Sequence, residues 1–252
     1  MILPLLRLLA LASTSLLTPG AHAEGALTVA AATSLGAALR EIGPLFQAAH
    51  PATRVRLSFG ASGALLAQLA KGAPVDVLVS ADTETLDRAQ AQGLVAAQTR
   101  RTVARNALVV VVPVASTRTL RSLPDLLRPD IARVAIGLPA SVPAGRYARQ
   151  ALQAAGLWHA MEPRMVGAHH ARQALDYVAR GEVDAGFVYA TDAAAMANRV
   201  RVAFTVETPH PVAYPAAALA ASPRPAEAAR FVEYLLSPAA QAVLARHGFG
   251  RP

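Results

Sequence analysis

Apolar residues along the chain fall into short continuous runs, and each run is followed by a stripe with helical spacing. "ALTVAAATS" gives a strand from Ala26 to Ala31 that feeds a helix from Ser34 to about Ala49. Gly43-Pro44 lies inside that helix and is expected to kink or split it. "TRVRLSF" is the next strand, with a helix from Ser62 to Lys71; "VDVLVSA" is a third, with a helix from Asp82 to Gln92. Gly72 and Gly93 stand where helices end, a position that favours a residue able to take positive φ. This alternation of strand and helix predicts a parallel sheet with helices on its faces.

The pattern then restarts. "NALVVVVP", Asn106 to Pro113, is a buried strand, and "ARVAIGLP" is another, followed by a helix from Ala144 to Ala155 that stops at Gly156. "EPRMVG" is a short strand before a helix from Ala171 to Arg180, and "DAGFVYA" is a strand with a short helix after it. "RVAFTVE" and "HPVAYPAAALA" are strands, and 227–246 reads as two closing helices broken at Ser237-Pro238. The chain thus divides into two α/β lobes, each a mostly parallel sheet flanked by helices. Residues 24–105 with 216–252 form the first, and 106–215 the second. Two crossing segments make a hinge, and the cleft between lobes is a natural ligand site.

Composition narrows the setting. Arg7, an apolar run from Leu8 to Leu17 and the closing Ala21-His22-Ala23 form a secretory signal, cleaved after Ala23, and the run is too short to span a bilayer. The product is therefore exported. Of 252 residues, 54% are hydrophobic and none is cysteine, so disulfides, thiolate metal sites and a lipidated cysteine are excluded. The formal charge is +8, carried almost wholly by arginine, with Lys71 the one lysine. The arginines are scattered and no basic stretch is interleaved with aromatics, so the sequence offers no nucleic-acid footprint. A basic surface attracts small anions instead.

Four turns carry the candidate chemistry. "AATSLG", "GASGAL", "VPAGRY" and "HHARQAL" each put a small residue (Ser34, Ser62, Ala144, Ala171) at a helix N-terminus after a strand. Such an end presents unpaired N–H groups and about half a positive charge. Four of them meeting across a cleft would make an anion cage built from dipoles. Each also has a plainer use: Ser34 and Ser62 as N-caps, Pro143 as a helix-starting proline. Tyr189, ending a strand, can donate its phenol or serve as a half-buried core residue. Arg146 and Arg172 lie close in sequence to these turns and either act on the site from behind its direct ligands or, more simply, are exposed helix arginines.

Taken together, "TVAAATSL", "SFGASGALLAQLAKGAPVDVLVSAD", "NALVVVVP", "VPAGRYARQAL" and "GFVYATDA" closely resemble the periplasmic molybdate-binding proteins of ABC transporters. The resemblance runs through "YLLSPAAQAVLARHGF" and covers essentially the whole mature chain. It implies a two-lobed binding fold and no catalysis or cofactor. It also implies a monomer that takes molybdate or tungstate and passes it to a membrane permease. It places the oxyanion ligands at Ser34, Ser62, Ala144, Ala171 and Tyr189, with no side chain bound to the metal itself. One departure is His169-His170, where the family usually has an acidic or amide residue; the pair either adds positive potential or is an exposed loop.

Two rivals remain at this point. Gly60-Ala61-Ser62-Gly63-Ala64 is one residue short of the nucleophile elbow G-x-S-x-G, so Ser62 could serve an exported hydrolase, with Asp184 or Asp192 and His210 or His247. The same binding fold could also hold sulfate or another small anion.

Overall fold

The computed structural model describes residues 26–252, so the expected signal segment lies outside the described residues. The chain begins with β1 (Leu27–Ala32), a 3-10 turn (Thr33–Leu35) and α1 (Gly36–Ala49). It continues through β2 (Val55–Gly60), α2 (Ser62–Leu69), β3 (Val77–Val79), α3 (Thr83–Ala91) and β4 (Arg101–Asn106). The second run is β5 (Leu108–Pro113), β6 (Val134–Gly137), α4 (Pro143–Ala154), α5 (Trp158–Met161), β7 (Met165–Ala168), α6 (Ala171–Ala179), β8 (Ala185–Tyr189), α7 (Ala190–Ala194) and β9 (Val200–Val206). β10 (Val212–Ala218), α8 (Pro225–Tyr234) and α9 (Pro238–Arg246) close the chain.

These strands form two five-stranded sheets, ordered β2-β1-β3-β10-β4 and β7-β6-β8-β5-β9. The α/β class holds, and each sheet is mostly parallel, with four strands running one way and a single reversed strand, β10 in the first and β5 in the second. β1 pairs in parallel with β2 and β3, whereas β10 runs antiparallel to β3 and β4. β6 pairs in parallel with β7 and β8, whereas β5 runs antiparallel to β8 and β9. The reason is connectivity. β5 and β10 are the strands that follow a crossing from the other sheet, so neither is reached through a right-handed strand–helix–strand unit. Only residue 107 separates β4 from β5, and 207–211 join β9 to β10.

Burial follows position in the sheet. β10 and β6, which have neighbours on both sides, are buried throughout, and edge strand β2 alternates half-buried and exposed positions. Pro215 sits inside β10, and the register shifts between Tyr214 and Pro215 because proline brings no N–H to the ladder. Of the expected kink or split in the first helix, the split does not occur: α1 is continuous with Pro44 inside it. Its missing hydrogen bond would have been to Arg40, an exposed residue whose carbonyl water can serve. Gly72 and Gly93 end their helices with φ of 82° and 68°, as the sequence requires.

Candidate functional site

Parallel strands of an open α/β sheet present ligand sites beyond their C-terminal ends. Ser34 follows β1, Ser62 follows β2, Ala144 follows β6, Ala171 follows β7, and Tyr189 is the last residue of β8. All five line one small cavity between the sheets, together with Thr33, Gly60, Val142, Pro143 and His170 among others. About 20 Å³ of it is open to the centre of a water molecule. No acidic residue and no lysine or arginine is among the described residues lining it.

The two serines are not helix caps. The residues before the helices, Ala32 and Ala61, hold those positions, with no side-chain cap bond. Ser62 is fully buried, and its Oγ accepts the Ala81 N–H at 3.0 Å. A hydroxyl that is already accepting has its own proton left to give. Ser34 is reached through a longer chain. Asn106 Oδ1 accepts the Ala107 N–H at 2.8 Å, which fixes its amide orientation. Asn106 Nδ2 then donates to Thr191 Oγ1 at 2.9 Å and to the Tyr214 hydroxyl at 3.2 Å. The Tyr214 hydroxyl lies 3.0 Å from Ser34 Oγ, and either oxygen can donate in that bond. When Tyr214 is the donor, the Ser34 proton is free to face the cavity. Asn106 and Tyr214 were not singled out from the sequence as site residues. The relevant signal was their position at the ends of the crossing segments.

The other lobe contributes helix ends. Ala144 and Ala171 are in the first turns of α4 and α6, where the helix provides no acceptor for the N–H. Gly145 lets α4 approach β6 closely; a Cβ there would come within 1.8 Å of the Gly137 carbonyl oxygen. Pro143 opens α4, as its fixed φ favours. His170 caps α6: its Nδ1 accepts the Gln173 N–H at 3.1 Å, so the ring proton is on Nε2. Burial lowers the pKa of His170, which keeps it neutral at neutral pH and removes it as a source of positive potential there. His169 is exposed, with its N–H on Gln173 Oε1 at 2.6 Å.

Tyr189 is 2% exposed, and its hydroxyl is at the outer limit of a hydrogen bond to the Ala81 carbonyl, 3.5 Å. Burial pushes its phenol, and that of Tyr214, well above the usual range, so both stay protonated donors. Their rings meet edge-on at 5.7 Å. The arrangement as a whole is a ring of N–H and O–H donors with neutral side chains, suited to a fully ionised small anion.

Arg146 corrects a sequence expectation. It is buried, with Nη2 and Nε 2.6 and 2.8 Å from Asp82 Oδ2. The face of α4 that carries it meets the start of α3. Arg172 is about one-third exposed and points toward buried Asp192 at 3.8 Å. The hydrolase alternative loses its geometry as well. His247 is paired with Glu41 at 2.6 Å, Asp184 accepts the Ala132 and Arg133 N–H groups, and Ser62 is held by a backbone amide. A larger cavity of about 720 Å³, lined by Thr28, Leu69, Pro74, Asp76 and Leu219 among others, lies at the opposite ends of β1 and β3. Arg56 and Arg224 also line it, and the Asp76 carboxylate there accepts the Thr28 N–H and the Ser222 hydroxyl.

A family model described as bacterial extracellular solute-binding protein matches residues 27–250. The chain is 36% identical over 233 residues to the molybdate-binding protein ModA of Escherichia coli, covering 90% of this chain and 89% of that one. It is 32% identical over 251 residues to the molybdate-binding protein ModA of Haemophilus influenzae, covering 94% and 96%. Among solved structures, the periplasmic molybdate-binding protein of Azotobacter vinelandii superposes with a TM-score of 0.76 at 26% identity, covering 90% of this chain and 99% of that one. With two α/β sheets, a donor-lined cavity between them and a family match over nearly all the described residues, this chain belongs to the bacterial extracellular solute-binding proteins.

Proposed function

We propose that the chain is the periplasmic component of an ABC importer that captures molybdate, and tungstate as well, and delivers it to a membrane permease. The observation that carries the reading is the convergence of Ser34, Ser62, Ala144, Ala171 and Tyr189 on one cavity with no carboxylate among its lining residues. A protonated phosphate needs an acceptor for its proton, and a cage of donors alone offers none. The molybdate-binding relatives in two bacteria point to the same ligand.

The chain acts as an exported monomer without cofactor or catalysis, its signal removed after Ala23. Lobes 24–105 with 216–252 and 106–215 part to admit the anion. Ser34 and Ser62 meet it first. Closure then brings the Ala144 and Ala171 amides and the Tyr189 hydroxyl, replacing the ligand's water with fixed donors. Binding shifts the population toward the closed form because that form makes the additional contacts. Ser62→Ala or Ser34→Ala should weaken molybdate binding by roughly 1–3 kcal/mol, the range for a lost hydrogen bond to a charged group. Titration calorimetry that finds both variants at the parent affinity removes these serines from the site.

A further inference from the structure

Outside the anion cavity, one polar cluster joins the two halves of the molecule. Asp82 caps α3 on the first sheet's side, its Oδ1 accepting the Thr85 N–H at 3.2 Å and the Ser80 hydroxyl at 3.1 Å. Arg146 comes from α4 on the second sheet's side. Its guanidinium holds Asp82 Oδ2 through two nitrogens, Thr85 Oγ1 at 2.7 Å and the Pro139 carbonyl at 3.2 Å. Asp82 is 3% and Arg146 8% exposed. A second contact lies nearby: the Gly63 N–H donates to the Ser141 carbonyl at 3.0 Å, and a Cβ on residue 63 would lie 2.7 Å from that oxygen. Both contacts span the cleft, and both adjoin site residues. Asp82 follows Ala81, whose N–H holds Ser62, and Arg146 is two residues beyond Ala144.

We propose that Asp82 and Arg146 are positioning residues that latch the lobes together around the anion without touching it. When the lobes part, both charges return to water. When they close, each is desolvated, and the pair, its hydrogen bonds and the half-exposed Glu84, 3.5 Å from Arg146 Nε, offset that cost. Losing Arg146 leaves Asp82 buried without a countercharge, and losing Asp82 leaves Arg146 buried with only the half-exposed Glu84, in the closed form alone. The population therefore moves toward the open form, and the apparent affinity falls by the same factor. The proposal rests on the oxyanion-binding reading for its consequence, but the latch itself can be read without a ligand.

The test is residue-resolved hydrogen exchange on the chain from Glu24 onward, with and without molybdate, for the parent, Arg146→Gln and Asp82→Asn. Asparagine keeps an acceptor for the Thr85 N–H, so the α3 cap survives. The Gly63 amide reports closure, because its acceptor is across the cleft. Both variants should exchange faster than the parent at Gly63, while amides of β3 and β6 keep their protection. Dissociation of molybdate should be roughly tenfold or more faster with association little changed, in the range measured for removal of close charge pairs across an interface. Gly63 exchange equal to the parent's in both variants overturns the latch. So does a loss of protection spread evenly through β3 and β6, which marks a static structural pair. Faster Gly63 exchange in a chain that ignores molybdate supports the latch and counts against the proposed function instead.

Discussion

A hydroxyl placed near an anion is useful only if its proton faces the anion, and in this chain neighbours decide that. The Ala81 N–H occupies a lone pair of Ser62, and Tyr214, itself fed by Asn106, is the hydrogen-bond partner of Ser34. These partners were invisible in the sequence because Tyr214 is 180 residues from Ser34 and Asn106 is 108 from Tyr214. Asp192 shows the opposite situation, a carboxylate that its surroundings do not satisfy. It is buried, Oδ2 has no partner among the described residues, and Arg172 stands 3.8 Å off. Burial outweighs Arg172 and the Tyr189 N–H and pushes the carboxyl up to about 6 from 3.8. The folded chain thus keeps a proton that the unfolded chain releases. The resulting stabilisation is complete below the unfolded value and is lost as pH rises through about 6. Asp192→Asn should accordingly raise the unfolding free energy at pH 7 by an amount on the order of 1–3 kcal/mol, with little change near pH 3. Denaturant melts at the two pH values that show equal shifts would contradict this.

At the level of elements, the most legible features were those whose cause is local. Alternating runs located nine of the ten strands, glycines marked helix ends at 72 and 93, and Ser237-Pro238 separated α8 from α9. The strand without a clear signature was β4, "RTVARN", which has only Val103 and Ala104 buried and gains its place by pairing with distant β10. Arg146 was misjudged for a similar reason: the face it occupies on α4 is decided by α3, 64 residues earlier. The turns that build the cavity read correctly as strand–turn–helix units, but the sequence could not separate an N-capping serine from an inward-facing one. One tight element contact bears directly on the site. α4 carries the Ala144 amide and lies on β6 through Gly145, where a Cβ would come 1.8 Å from the Gly137 carbonyl. Neither partner can yield, since both are backbone. Gly145→Ala should therefore cost about 3 kcal/mol or more, at the upper end for overpacking. A urea midpoint unchanged from the parent would show that α4 can shift without loss.

Across the whole molecule, the two sheets meet at the ends where their parallel strands stop, and the chain passes between them through residue 107 and 207–211. Short connections of this kind permit a change in the angle between lobes while each sheet stays intact. The cavity is lined by residues from both sides, so under the proposed function its affinity for an anion is coupled to closure. The scattered arginines give a formal charge of +8 that favours encounter with anions in general, but none among the described residues lines the cavity. Selection among anions then depends on ionisation and size within a fixed set of donors. The most direct test is calorimetry of the chain from Glu24 onward, titrated in turn with molybdate, tungstate, sulfate and phosphate. Saturable binding of molybdate and tungstate, with no heat from sulfate or phosphate under the same conditions, is the expected result. Four flat titrations, or binding of sulfate with none of molybdate, would contradict the assignment.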